Sequence, residues 1–450
     1  MLSLQELRES LKTAEYLASL SLTSRQDRQE GHGGKPGKEF ERHEEEEEEG
    51  KKSTKKSSDA VPYVPPKQLL LYLVRMGSFT SKPKLASEAG QDESVKVPDE
   101  VVTRQDLLAW LRAPIAHLPA PLPRAYRPRP GTVAHAHALS GDRPPPSAES
   151  FRVMQWNILA QALGTHADNF VKCPSEALEW NTRRFRILEE IVSYNPHIIC
   201  LQEVDHYDLL ERVLATQGYK GVFMPKPESP CLYLPNNNGP DGCALFWDTA
   251  RFSLVAKETR VVEVWHVQSN QVAILLVLED ETTGREIAVL TTHLKARQGA
   301  LLSTLRDEQG KDLLGFMDLH CGNRPTIISG DFNAEPTEPV YSTMTHESTG
   351  LKSAYAFLNK GKEPAYSTWK VREEGDICHN IDYIFYTPSN LTPEGGIDVP
   401  TEKDLGPGRA PSLAYPSDHF SLICDFSLKP NNRSNFSDMV DKPVERDSDL

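Results

Sequence analysis

From Phe151 onward, short apolar runs rich in Val, Ile, Leu and Phe alternate with amphipathic stretches, a rhythm that stops near residue 428. Runs of this length and composition predict strands. They fall at 151–159 (FRVMQWNIL), 197–201 (HIICL), 243–247 (CALFW), 271–279, 286–294, 325–329 (PTIIS), 381–386 (IDYIFY) and 420–426. Helical spacing fits between them. Over Trp180–Tyr194 the residues Leu188, Ile191 and Val192 share one face and Pro196 closes the segment, and 303–320 reads as a second helix. Many strands, several in direct succession and others separated by helices, predict an α/β fold of two sheets packed face to face with helices outside. Residues 151–428 then make one domain rather than two.

The first 150 residues lack this rhythm. Residues 1–22 repeat Leu at helical spacing but carry Glu6, Glu9 and Glu15, whereas mitochondrial presequences avoid acids and secretory signals need an apolar core. A short amphipathic surface helix is expected, with mitochondrial import the lesser alternative. Residues 23–150 are Gly, Glu, Lys, Ser and then Pro-rich, with the run Glu44–Glu49 followed by KKSTKK, and nine prolines between Ala113 and Pro146. Such composition predicts a mostly disordered linker, interrupted by a brief helix over 101–111. A second disordered tail is expected over 429–450. Inside the linker, Met76 opens MGSFTS ahead of Lys82 and Lys84. Translation from Met76 would expose Gly77, with Ser81 placed for N-myristoylation, and one acyl chain would give reversible membrane association.

Charge sharpens the picture. The 450 residues carry a net charge of -14, and since residues 1–150 hold 22 basic and 22 acidic side chains, all of it resides in the second part. A broad basic face gripping nucleic acid is therefore not expected. No apolar run approaches the length needed to span a bilayer; 69–74 and 272–278 are the longest. The seven cysteines are odd in number and form no C-x-x-C pair, so neither a disulfide framework nor a zinc site is indicated, and a reducing, cytoplasmic setting fits.

Short, acidic or imidazole side chains recur at the ends of the predicted strands, where a scaffold presents reactive groups. They are Asn157 in MQWNIL, Gln202 and Glu203 in CLQEVD, His293 in TTHLKAR, Asp331 and Asn333 in SGDFNAEP, Asp382 in NIDYIFY, and Asp418 with His419 in YPSDHF. Each alone is weak, because a lone Asp after a strand is usually a turn residue. In their order and spacing, QWNIL, LQEVD, THLKAR, GDFNAEP, IDYIFY and SDHFSL resemble the exonuclease-endonuclease-phosphatase superfamily over about 151–428. Longer strings such as RVMQWNILAQALG and NNGPDGCALF are similar to a branch related to the carbon catabolite repression deadenylases. The resemblance implies a four-layered α/β sandwich and Mg²⁺-dependent chemistry.

Elementary chemistry agrees. Hydrolysis of a phosphate ester needs a hard cation held by a few carboxylate or amide oxygens. Glu203 is the principal expected ligand, with Asn157 beside it. Asp331 suits a general base and Asn333 its positioning partner, two residues on and on the same side of an extended segment. His293 and His419 would donate to phosphate oxygens, and by resemblance Asp382 holds His419 in one tautomer. Asp418 ranks lower, for metal or water.

The substrate is less directly legible. Lys226, Lys295, Arg297 and Arg372 lie beside the motifs in a domain that counts 24 basic against 37 acidic residues over 151–428. In this branch of the superfamily these positions are associated with recognition of NADP(H), whose 2′-phosphate is removed to give NAD(H), and the branch is linked to circadian and metabolic regulation. The alternative is 3′–5′ removal of poly(A) from mRNA, which should add an electropositive track and stacking aromatics that this sequence lacks. A non-catalytic scaffold for ribonucleoprotein partners is the third reading, opposed by an intact set of reactive residues. A monomer is the default expectation.

Overall fold

The structure, a computed structural model, describes Asp92 and residues 95–98, 102–131, 150–164, 170–235 and 237–430. The expected helix over 1–22, most of the expected linker including Gly77, and the tail from 431 lie outside the described residues.

In chain order the strands are β1 (Tyr126–Pro128), β2 (Ser150–Asn157), β3 (Ile198–Val204), β4 (Tyr219–Pro225), β5 (Gly242–Asp248), β6 (Phe252–Val264), β7 (Val267–Asp280), β8 (Arg285–His293), β9 (Thr326–Asp331), β10 (Lys352–Ser353), β11 (Thr368–Arg372), β12 (Gly375–His379), β13 (Asp382–Tyr386), β14 (Leu391–Ile397) and β15 (Leu422–Leu428). The longer helices are α1 (Arg104–Arg112), α2 (Trp180–Tyr194), α3 (Tyr207–Ala215) and α4 (Ala300–Cys321). One sheet has the order β1-β14-β15-β2-β3-β5-β4 and the other β10-β13-β9-β8-β7-β6, while β11 and β12 form a separate hairpin. Pairing is antiparallel except at β2–β3 and β8–β9, one parallel pair near the middle of each sheet.

Successive side chains leave a strand on opposite faces, and that alternation sorts the core into layers. Phe151 and Val153 of β2 join Ile274, Leu276, Val289 and Ile384 of the facing sheet between the two sheets. Met154 and Trp156, one residue out of phase, pack beneath Ile187, Ile191 and Leu210 of the helices. On the far side, Leu275 and Leu290 meet Leu313 and Phe316 of α4. Both faces of both sheets are thus covered, which gives the four layers expected from sequence. The α2 helix spans the residues its apolar spacing predicts and ends at Asn195, which adopts the left-handed conformation (φ 48°) ahead of Pro196.

The linker expectation differs from the structure between 102 and 131. There α1 is capped by Thr103, whose hydroxyl accepts from the Asp106 amide at 3.2 Å, and Leu107 and Leu111 are fully buried against the α2 layer. The Pro-rich stretch then runs along the domain. Arg124, its side chain fully buried, donates to Glu190 at 3.0 Å and to Ser421. Tyr126–Pro128 finally adds an edge strand to β14. Proline suppresses the periodic signal of an ordered segment without preventing packing. The segment's partners also lie far away in sequence.

Candidate active site

Strand register assembles the site. Asn157 is level with Gln202 across the parallel β2–β3 pair. His293 is level with Asp331 across β8–β9, and Asp331 with Asp382 across β9–β13. The two parallel pairs therefore bring their C-terminal ends to one place. Beneath them a buried amide pair ties sheet to sheet: Gln202 Nε2 donates to Gln155 at 2.9 Å and to Thr291 of β8 at 2.9 Å. His419, just before β15, completes the set through a bridge to Thr368.

Glu203 adopts the left-handed conformation (φ 54°), as do Leu159 (φ 61°), Arg297 (φ 84°) and Asn333 (φ 50°). Non-glycine residues reach this region at a cost, and such residues gather where side chains must be aimed. At Glu203 it accompanies an irregularity in the β3–β5 register. Its carboxylate accepts from the Ala160 amide at 3.1 Å and from Asn157 Nδ2 at 3.0 Å. The same Asn157 amide donates to Asp331 Oδ2 at 2.9 Å, and its Oδ1 accepts from Leu159 N at 3.0 Å. Asn157 is thus a bridge between two carboxylates whose oxygen keeps one further lone pair. Glu203, His293 and Asp331 offer ligand atoms within 4.8 Å of one another, and so do Asp331, Asp382 and His419. A donor set of carboxylate and amide oxygens with no thiolate fits a hard divalent cation.

Burial and the neighbouring Asp382 push Asp331 up to about 7, against the pull of His419. Its other oxygen accepts from the Asn333 amide at 2.9 Å. The chain therefore turns at Asn333 instead of staying extended, and the pairing of these residues comes from a tight turn. Burial opposes charge on His419, but Asp382, Asp331 and Asp418 outweigh it and raise the imidazole to about 10. Asp382 Oδ2 meets its Nδ1 at 2.8 Å and also accepts from Ser367 Oγ at 2.7 Å. His293 goes the other way, its pKa lowered by burial, Lys226 and His419. The Lys226 ammonium lies 3.3 Å from His293 Nδ1, while Nε2 lies 3.0 Å from the Asn333 side-chain amide nitrogen, which also donates to the Leu294 carbonyl at 3.1 Å, and 3.5 Å from Asp331 Oδ2. The two histidines thus differ in charge, cationic at 419 and neutral at 293.

The four basic residues fall into two kinds. Lys226 is buried and already paired with Asp241 Oδ2 at 2.6 Å, its charged form favoured by Asp241 and Glu203 against the opposing effect of burial. Lys295, Arg297 and Arg372 have no ion pair or side-chain hydrogen bond among the described residues, and Arg372 Nε is buried without a partner. β8 ends at His293, and Arg297 is left-handed, so Lys295 and Arg297 stand on a loop and not on the strand. Lys295 is held below the usual lysine range by burial, Arg297 and Lys226.

Several contributors went unread in the sequence. Lys370 forms an ion pair with Asp418, which, despite burial, is held down at about 2 by Lys370 and His419. Its alternation with Arg372 on β11 was the available signal. Arg183 of α2 is buried and donates to the carbonyls of Ile158, Leu159 and Pro416, fixing the backbone after β2. No local pattern marks it, because its partners come from two distant loops.

Comparison with known proteins places this arrangement. The family profile described as Endonuclease/Exonuclease/phosphatase family matches residues 154–419. Nocturnin of Drosophila melanogaster is 46% identical over 403 residues, 82% of this chain and 62% of that protein. The chain thus spans less than two thirds of that relative's length. The human Nocturnin catalytic domain with bound sulfate anion superposes with a TM-score of 0.54 at 43% identity, covering 63% of this chain and 97% of that one. More distantly, the CCR4-Not complex 3'-5'-exoribonuclease subunit Ccr4 of Mycosarcoma maydis is 28% identical over 64% of this chain and 52% of its own length.

Proposed function

This chain belongs to the Endonuclease/Exonuclease/phosphatase family, on its nocturnin branch, and from that premise we propose that it is a Mg²⁺-dependent phosphatase that removes the 2′-phosphate of NADP(H) to give NAD(H). The observation that carries the reading is the unpaired state of Lys295, Arg297 and Arg372. The buried cations of the described domain mostly have carboxylate partners, as at Arg152–Asp425, Lys226–Asp241 and Arg251–Asp280. A half-buried cation without one is costly unless an anion arrives. Lys295 and Arg372 are half-buried, whereas Arg297 is exposed two residues from Lys295; unpaired cations of this kind suit a compact ligand bearing several phosphates, and guanidinium forks bind phosphate in pairs of hydrogen bonds. The sulfate bound by the human relative is in keeping with an anion site.

Glu203, with Asn157, would hold Mg²⁺, which supplies neutralisation of charge on the phosphate oxygens. The chain's own groups account for the rest. Asp331, poised near neutrality at about 7, accepts a proton from the attacking water. His419, kept cationic by Asp382, donates to an oxygen that gains charge as the P–O bond breaks, and His293, held between Lys226 and Asn333, lines the same site.

A second reading is 3′–5′ shortening of poly(A), supported by the likeness to the Ccr4 exoribonuclease subunit. The acidic balance of the domain speaks against a long polyanion. The full chain, assayed in Mg²⁺ with NADPH and with a poly(A) oligonucleotide separately, decides between them. Phosphate release from NADPH that Glu203→Ala abolishes, with the oligonucleotide intact, is the expected result. A shortened oligonucleotide beside untouched NADPH would establish the exonuclease instead.

A further inference from the structure

Lys295 and Arg297 lie on a loop with no regular hydrogen-bonding of its own, yet Arg297 is held at φ 84°. What holds it is a buried side chain on the next helix. Arg306 of α4 is 1% exposed. One of its terminal nitrogens, Nη1, donates to the carbonyl of Lys295 at 3.1 Å and to that of Arg297 at 2.8 Å. Its other edge grips Glu338 Oε2, at 3.2 Å from Nε and 2.5 Å from Nη2. One turn along the same helix face, Gln309 accepts the Lys295 amide at 3.0 Å while its Nε2 lies 3.3 Å from Ser269 Oγ of β7. Three backbone groups within Lys295–Arg297 are therefore fixed by two buried side chains whose own partners are all protein groups.

We propose that Arg306 and Gln309 are positioning residues for substrate specificity: anchored by Glu338 and Ser269, they impose the loop geometry that presents the Lys295 and Arg297 side chains to the phosphates of the dinucleotide. This rests on the function proposed above. A guanidinium is suited to the task because its rigid fork serves a carboxylate and two carbonyls at once, which an ammonium on a flexible stem does not. The arrangement also explains how a loop residue reaches an unfavourable backbone conformation, since the strain persists only where surrounding contacts over-determine it. Two unpaired cations four or five bonds beyond that backbone gain most from being held in advance, because ordering them on binding would otherwise reduce affinity.

The test is steady-state kinetics of the full chain on NADPH for Arg306→Lys and Gln309→Met, with thermal unfolding recorded for each. Both variants should raise KM by about tenfold while kcat changes less than about twofold, because the reactive groups are untouched. In a Lys295→Ala/Arg297→Ala background the same substitutions should add almost nothing to KM, since they act through the two cations. A purely structural role would lower kcat and stability together and would persist in that background, which would overturn the proposal. If Arg306→Lys does not fold, Gln309→Met decides alone, and an unchanged KM there also overturns it. Absence of NADPH turnover by the unmodified chain would instead count against the function itself.

Discussion

One carboxylate oxygen, Asp382 Oδ2, receives both the Ser367 hydroxyl and the His419 ring. Asp382 leads the charges that raise His419 to about 10 against burial, so the imidazole remains a cationic donor across the neutral range and loses its proton only on the alkaline side. Asp382→Asn removes that charge and keeps the shape. The raised value should then fall, and the alkaline limb of the kcat profile should move down by about one pH unit or more, while the rate on the acid side of that limb changes far less. A limb that stays in place would show that His419 does not set it. At this scale the sequence was most informative where a motif names the residue, as with Glu203, Asp331 and His419. It misled where a backbone turn replaces an extended segment, at Asn333, because left-handed conformations leave no trace in side-chain alternation.

Among the elements, the brief helix expected over 101–111 is present as α1, and the largest departure from expectation is its packing into the domain together with the stretch after it. Leu107 and Leu111 are four apart on one face of α1 and both are completely buried, so the helix behaves as part of the core. Leu111→Ala should destabilise the fold by about 2–5 kcal/mol in urea unfolding, the usual cost of emptying a buried leucine site. A disordered linker would give less than about 0.5 kcal/mol. The interior strands β2, β3, β5, β7, β8, β9, β13 and β15 were legible because burial on both faces demands a continuous apolar run. β4, β6, β11, β12 and β14 were not. They lie at sheet edges, in the separate hairpin, or beside irregular pairing, and β14 carries Pro393, Gly395 and Gly396. Gly395 is required there, since an added Cβ would overlap the Tyr126 ring of β1.

For the whole molecule, the ordered segment over 102–131 closes one side of the helical layer and one edge of a sheet. Its removal would strip Glu190 of Arg124 and leave α2 without its α1 neighbour. A chain begun at residue 150 should therefore unfold at a temperature lower by about 10 °C or more than one begun at 92, reflecting several kcal/mol of lost packing. Equal melting temperatures would show that the segment rides on the domain without supporting it. The four-layered architecture was readable in advance because it follows from local rhythm; this strap was not, because it depends on contacts such as Arg124 to Asp398 that join residues more than 270 apart.

The reactive groups divide between the sheets, Asn157 and Glu203 at the tip of one parallel pair, His293 and Asp331 at the tip of the other. Neither half contains a working set. The distance between them is fixed by the apolar seam that glues one sheet to the other and by the two hydrogen bonds that cross it, Gln202 to Thr291 and Asn157 to Asp331, not by the strand ladders. Warming that loosens the seam by an ångström would separate cation site from base while every ladder stays intact, so this chain should fall silent well before it melts.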